Sequence, residues 1–161
     1  MKLINDDLIA SLVEEIGQEK FNANLYLFIA GLLKNKGFDN LAKKFLDQHS
    51  EETEHSLIIF NLLTDMNAPV IIPEVGTIDV SFGSIVDVAV AYLDREILTT
   101  QSLDEIKKLA IDTNNPVVEE RMREMIKLQQ KEYEEATTFM DRAELCGSNW
   151  FNVLLWDLGE K

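Results

Sequence analysis

The chain has 161 residues, with 15 Lys+Arg against 29 Asp+Glu for a net charge of −14, and 46% of its residues are apolar. That length and apolar content suit one packed domain and exclude a disordered acidic tail. The charge excludes a nucleic-acid binder, which needs a basic face to neutralise phosphates.

Cys146 is the single cysteine, so no intrachain disulfide forms and nothing points to an oxidising compartment. Met1 to Ala10 carries Asn5, Asp6 and Asp7 where a signal peptide needs an unbroken apolar stretch. No segment approaches the roughly 18 to 20 uncharged apolar residues of a membrane span. The expectation is a cytoplasmic protein with neither membrane nor nucleic acid as a partner, forming a single domain over residues 1–161.

Punctuation is sparse, with three prolines and seven glycines, and predicts long helices. The first runs over about 6–34, with Leu8, Ile9, Leu12, Ile16, Ala23, Leu27 and Ala30 at helical spacing, and stops at Asn35-Lys36-Gly37. The second runs from about Asp39 to Asp65 with Leu41, Ala42, Phe45, Ile59 and Leu63 inward. The third starts near Ser84 and reaches about Asp112, presenting Ile85, Ala89, Tyr92, Leu103, Ile106 and Ala110. Pro116 opens the fourth, where its missing N–H costs least; that helix presents Met122, Met125, Ala136, Phe139 and Met140 and ends by Gly147. Trp150 to Leu158 forms a short fifth helix.

The connections set the topology. Short turns make helices one and two antiparallel, and likewise three and four. Between helices two and three, Asn67 to Gly83 can span roughly 55 Å when extended, more than the roughly 42 Å of a 28-residue helix. That linker lets helices two and three run parallel, giving an all-α four-helix bundle with one long crossover plus a short C-terminal helix.

Polar residues interrupt the apolar seams. The series 12, 16, 19, 23 of helix one includes Glu19; helix two brings in Glu52 and His55, three apart on one face. Helix three includes Glu96, and helix four Gln129 and Glu132. Glu19, Glu52, Glu96 and Gln129 sit roughly 12 to 15 residues from a helix end, at one level near mid-bundle. Four buried carboxylates without partners would cost many kcal/mol, so they are protonated, paired with cations or bound to metal. Lys43, Lys44, Lys107, Lys108, Arg121 and Arg123 lie mainly off the seams. An oxygen-rich set with one imidazole suits iron or manganese rather than structural zinc. It follows the di-metal carboxylate plan except that helix four carries Gln129-x-x-Glu132 instead of Glu-x-x-His. Glu14, Glu15, Glu119, Glu120 and Glu124 read as solvated faces, His49 as a non-ligand, and Met122, Met125 and Met140 as packing.

The run Phe45-Leu46-Asp47-Gln48-His49-Ser50-Glu51-Glu52-Thr53-Glu54-His55 resembles the second-helix signature of the ferritins. Glu19 followed by Tyr26 resembles their first-helix ligand and nearby tyrosine, and the long linker and terminal short helix also match. The resemblance implies that Glu19, Glu52 and His55 hold a first iron, that Glu52 bridges to a second held by Glu96, and that Gln129 and Glu132 sit beside the second. Tyr26 would be a hydrogen-bond partner or an electron donor. It further implies a ferroxidase oxidising Fe(II) with O2 or H2O2, and a homo-oligomeric shell of 24 subunits enclosing ferric mineral. Haem is not expected: Thr53 stands where the haem-binding branch has its methionine. Leu128, Gln130 and Lys131 occupy the neighbourhood of the third iron site some bacterial ferritins have, so none is expected here, and one cysteine excludes the iron module of rubrerythrins. A di-metal oxygenase or peroxidase on the same bundle is the alternative.

Overall fold

The computed structural model describes residues 3–160; Met1, Lys2 and Lys161, part of the span expected to form one domain, lie outside them. Among the described residues there are five α-helices and no strand: α1 (Asp6–Asn35), α2 (Asp39–Asp65), α3 (Ile85–Asp112), α4 (Pro116–Cys146) and α5 (Trp150–Gly159). Their ends follow from local chemistry. Asn5, Ser84, Asn115 and Asn149 accept from the backbone N–H of Leu8, Asp87, Val118 and Phe151, satisfying donors that the first helical turn leaves open. After α1, Gly37 takes φ +87, and the Phe38 N–H returns to the Leu33 carbonyl at 3.0 Å, closing that helix.

α2 is started differently. Phe38 offers no capping side chain; instead Asp157 of α5, itself buried, accepts from the Leu41 N–H at 2.8 Å, while Asn40 donates to the Asp157 carbonyl at 2.9 Å. The fifth helix thereby supplies the cap the second lacks, with a negative charge at the positive end of the helix dipole.

α1 packs along α2 and α3 along α4, with α1 facing α3 and α2 facing α4. The bonds Asn22 to Thr99 and Tyr26 to Glu96 pair rising with falling numbers, so α1 and α3 are antiparallel. The linker over 67–84 therefore returns the chain along the bundle, and α2 and α3 run parallel as expected. On the way it crosses α1 at Gly17, where a Cβ would come within 2.9 Å of Pro73 Cγ.

The core is in two parts. One end is built on Tyr26, Leu33, Phe45, Tyr92, Phe139 and Val153, with T-shaped aromatic pairs such as Phe45–Tyr92 at 5.2 Å between centroids. The other is built on Leu8, Leu12, Ile16, Ile59, Leu63, Leu103 and Met122. Each fully buried large side chain contributes about 1.5–3 kcal/mol. Between the two parts lies the polar layer. One expected core residue is not there: Leu27 is 46% exposed, because the buried stripe of α1 advances through 19, 22, 23, 26, 29 and 30, which turns 24, 27, 28 and 31 outward.

Candidate metal centre

The polar layer buries Glu19, Glu52, His55, Glu96, Gln129 and Glu132, each less than a tenth exposed. Glu52 and His55 are three apart on α2 and therefore share a face; α1 brings Glu19 opposite them. His55 Nδ1 lies 3.8 Å from Glu19 Oε2 and 3.8 Å from Glu52 Oε2. One donor atom from each of the three falls within 4.8 Å of the others, the only such group of His, Cys, Asp or Glu among the described residues. Both oxygens of Glu19 and both of Glu52 are buried without a hydrogen-bond partner. Buried polar atoms are ordinarily satisfied, so four open oxygens beside an imidazole fit a hard or borderline divalent cation such as iron.

Glu96 is held on the other side of the layer. Tyr26 donates its hydroxyl to Glu96 Oε1 at 2.5 Å, and the Gln129 amide donates to Glu96 Oε2 at 2.5 Å and to the Glu96 carbonyl at 3.3 Å. Glu132 keeps one buried oxygen without a partner.

Electrostatics divide these acids. Burial, reinforced by the adjacent Glu52, holds the Glu19 carboxyl well above its ordinary range. Burial also works on Glu52, but the neighbouring Glu19 carboxyl and His55 imidazole outweigh it and hold Glu52 below its ordinary range. For His55, burial is outweighed by Glu52, which pushes the imidazole up. Burial and the Glu52 charge push Glu96 up to about 7 against the bonds from Tyr26 and Gln129. Burial and Glu51 push Glu132 up to about 9. A cation would relieve every one of these upward pressures.

His49 stays outside the centre, its Nδ1 donating to the Ala23 carbonyl at 2.7 Å. Leu128, Gln130 and Lys131 are exposed. Glu15 corrects the expectation of a solvated face, because it is fully buried and accepts from the Ser102 hydroxyl. Three further polar residues escaped the sequence reading. Buried Asn22 donates to Thr99 at 3.0 Å and accepts from Arg95 Nε at 2.6 Å. Arg95 also reaches Gln18 and lies over the Phe21 ring, 4.7 Å from its centroid. Buried Gln48 donates to Glu135 at 3.3 Å. The signal for Glu15 and Asn22 was present in the spacing 15, 19, 22, 26, which is helical and wholly polar but for the ring of Tyr26.

Residues 9–146 match the family model described as the ferritin-like domain. The chain belongs to the ferritin family. It is 27% identical over 149 residues to the ferritin BfrB of Mycolicibacterium smegmatis, covering 92% of this chain and 82% of that protein. A bacterial non-heme ferritin of Staphylococcus epidermidis is 27% identical over 108 residues, covering 67% of this chain and 65% of that one. Among solved structures, an open pore ferritin from the hyperthermophilic archaeon Archaeoglobus fulgidus superposes with a TM-score of 0.91 at 19% identity, over 96% of both chains. A humanized archaeal ferritin gives 0.90 at 18% identity, over 96% of this chain and 94% of the other. These likenesses establish the ferritin fold. No described helix is long and apolar enough to cross a membrane.

Proposed function

We propose that this member of the ferritin family stores iron, and that its polar layer is a di-iron ferroxidase centre acting on Fe2+ as substrate. The observation that carries the proposal is the set of four buried, unpartnered oxygens on Glu19 and Glu52 beside His55. Glu19, Glu52 and His55 hold one ion, and Glu52 is shared with a second, held by Glu96 with Gln129 and Glu132 beside it. Tyr26 fixes the Glu96 carboxylate through its hydroxyl, a bond that orients the ligand and supports its ionised form.

Each of two Fe2+ gives up one electron; dioxygen takes both, with two protons, and becomes hydrogen peroxide, which can serve as oxidant in turn. Carboxylate ligands favour the ferric state because anionic oxygen stabilises the harder ion. Ferric product then passes to mineral inside a shell of 24 copies acting in the cytoplasm, each copy working as one domain over residues 1–161. The −14 charge supports this, since acidic surfaces concentrate ferrous cations. The metal-free protein mixed with Fe2+ in air should oxidise it fast and yield a particle with a mineral core. A variant carrying Glu52→Ala and His55→Ala should lose the fast phase, and equal rates would overturn the proposal. Oxidation without enclosed mineral would favour the oxygenase or peroxidase alternative.

A further inference from the structure

Glu15 has no role in the centre described above, yet it is fully buried one helical turn before Glu19. Ser102 donates to its Oε2, while Oε1 is buried without a partner. Its carboxyl and that of Glu19, four residues on along the same face of α1, feel one another electrostatically, and both Glu19 oxygens are open. A glutamine here would satisfy Ser102 without adding charge. Glutamate instead stacks a third carboxyl against the Glu19 and Glu52 pair, a costly arrangement unless a cation comes to it.

On the other side of Ser102 is open space. A cavity of about 230 Å³ lies between α1 and α3, lined by Glu14, Gln18, Arg95, Ser102 and Glu105 among others. Glu14 and Glu105 are exposed at its mouth. Ser102, on the wall of that cavity, donates to the Glu15 carboxylate through a hydroxyl that can rotate about its C–O bond. Arg95, the one cation on the wall, is engaged by its bonds to Gln18 and Asn22 and by the Phe21 ring. Carboxylates thus occur on the exposed wall of the cavity, at Glu15 beyond Ser102, and one turn further at Glu19.

We propose that Glu15 is a transit ligand, taking a divalent cation from the α1/α3 cavity and passing it to Glu19. The proposal rests on Glu19, Glu52 and His55 being metal ligands. Glu15 acts in uptake alone and takes no part in oxidation.

The test uses Co2+ alone, without oxygen, on the full chain, following binding by stopped-flow absorbance and final occupancy by metal analysis. Glu15→Gln keeps an acceptor for Ser102 but removes the ligand charge. Leu98→Trp, at an exposed residue on the cavity wall, narrows the cavity without touching Glu15. Both variants should bind about tenfold more slowly or worse, as expected when a charged funnel is removed or closed, with final occupancy unchanged. Either variant binding at the wild-type rate overturns the path, as does lost occupancy in Glu15→Gln, which would make Glu15 part of the centre itself. Wild-type protein that takes up no Co2+ overturns the metal-centre reading as well.

Discussion

Replacing Glu96 with glutamine should make the metal-free protein more stable above neutral pH. Burial and the nearby Glu52 hold the Glu96 carboxyl at about 7 against an ordinary 4.5, so the folded state favours the protonated acid. A group raised in this way contributes its full stability below about pH 4.5 and loses it as pH rises through about 7. The loss amounts to about 3 kcal/mol once Glu96 is ionised, at about 1.4 kcal/mol for each tenfold change in proton affinity. Glutamine has no such loss: its carbonyl still accepts from Tyr26, and the Gln129 amide can turn to accept from its N–H. Urea midpoints in the presence of chelator, at about pH 5 and about pH 8, would measure the difference. The wild type should lose about 2.5 kcal/mol more than Glu96→Gln between the two conditions, part of the loss having already occurred by pH 5. Parallel changes in the two proteins would refute the placement of a strained, buried acid at position 96.

Metal uptake should release protons and strengthen as pH rises, because Glu19, Glu96 at about 7 and Glu132 at about 9 all bind a cation only after losing theirs. An indicator-dye titration with Co2+ at pH 7 that shows no acidification would contradict this. Gly17→Ala should lower the thermal midpoint: the added methyl would meet Pro73 at 2.9 Å, and an overpacking cost of about 1–3 kcal/mol exceeds the gain of about 1 kcal/mol in helix propensity. Asp157→Ala should cost about 1–2 kcal/mol and speed hydrogen exchange at the Leu41 amide, the donor it caps; unchanged exchange there would show that α5 does not start α2.

The bundle was legible because its punctuation is chemical. Asn35-Lys36-Gly37, Ser84 and Asn115-Pro116 set helix ends by rules that act within one turn, and the structure places those ends where the sequence does, apart from small shifts such as the start of α3 at Ile85. The polar positions of the seams were legible because a carboxylate in an apolar series demands a partner. What escaped was the width of the buried stripe on α1. That helix faces both α2 and α3: position 23 lies toward His49 of α2, while 15, 22 and 26 lie toward Ser102, Thr99 and Glu96 of α3. A single series through 12, 16, 19 and 23 follows one of these contacts, so Glu15 and Asn22 were passed over and Leu27 was turned inward. The Asp157 cap was invisible for another reason, since it joins residues 116 positions apart and no local rule connects them.

The division of the core into two apolar halves has a mechanical consequence. At both ends the helices are locked by interdigitated side chains, whereas at the waist they meet through carboxylates that repel one another and through hydrogen bonds that can be exchanged. Such a bundle resembles a rod clamped at its ends and compliant in the middle: in the proposed centre, side chains at the waist would adjust by small rotations as ions arrive, oxidise and leave, while the clamps keep the helices in register. Turnover of cargo at the proposed centre would then need no opening of the fold, and compliance would lie in an enclosed layer rather than at the surface.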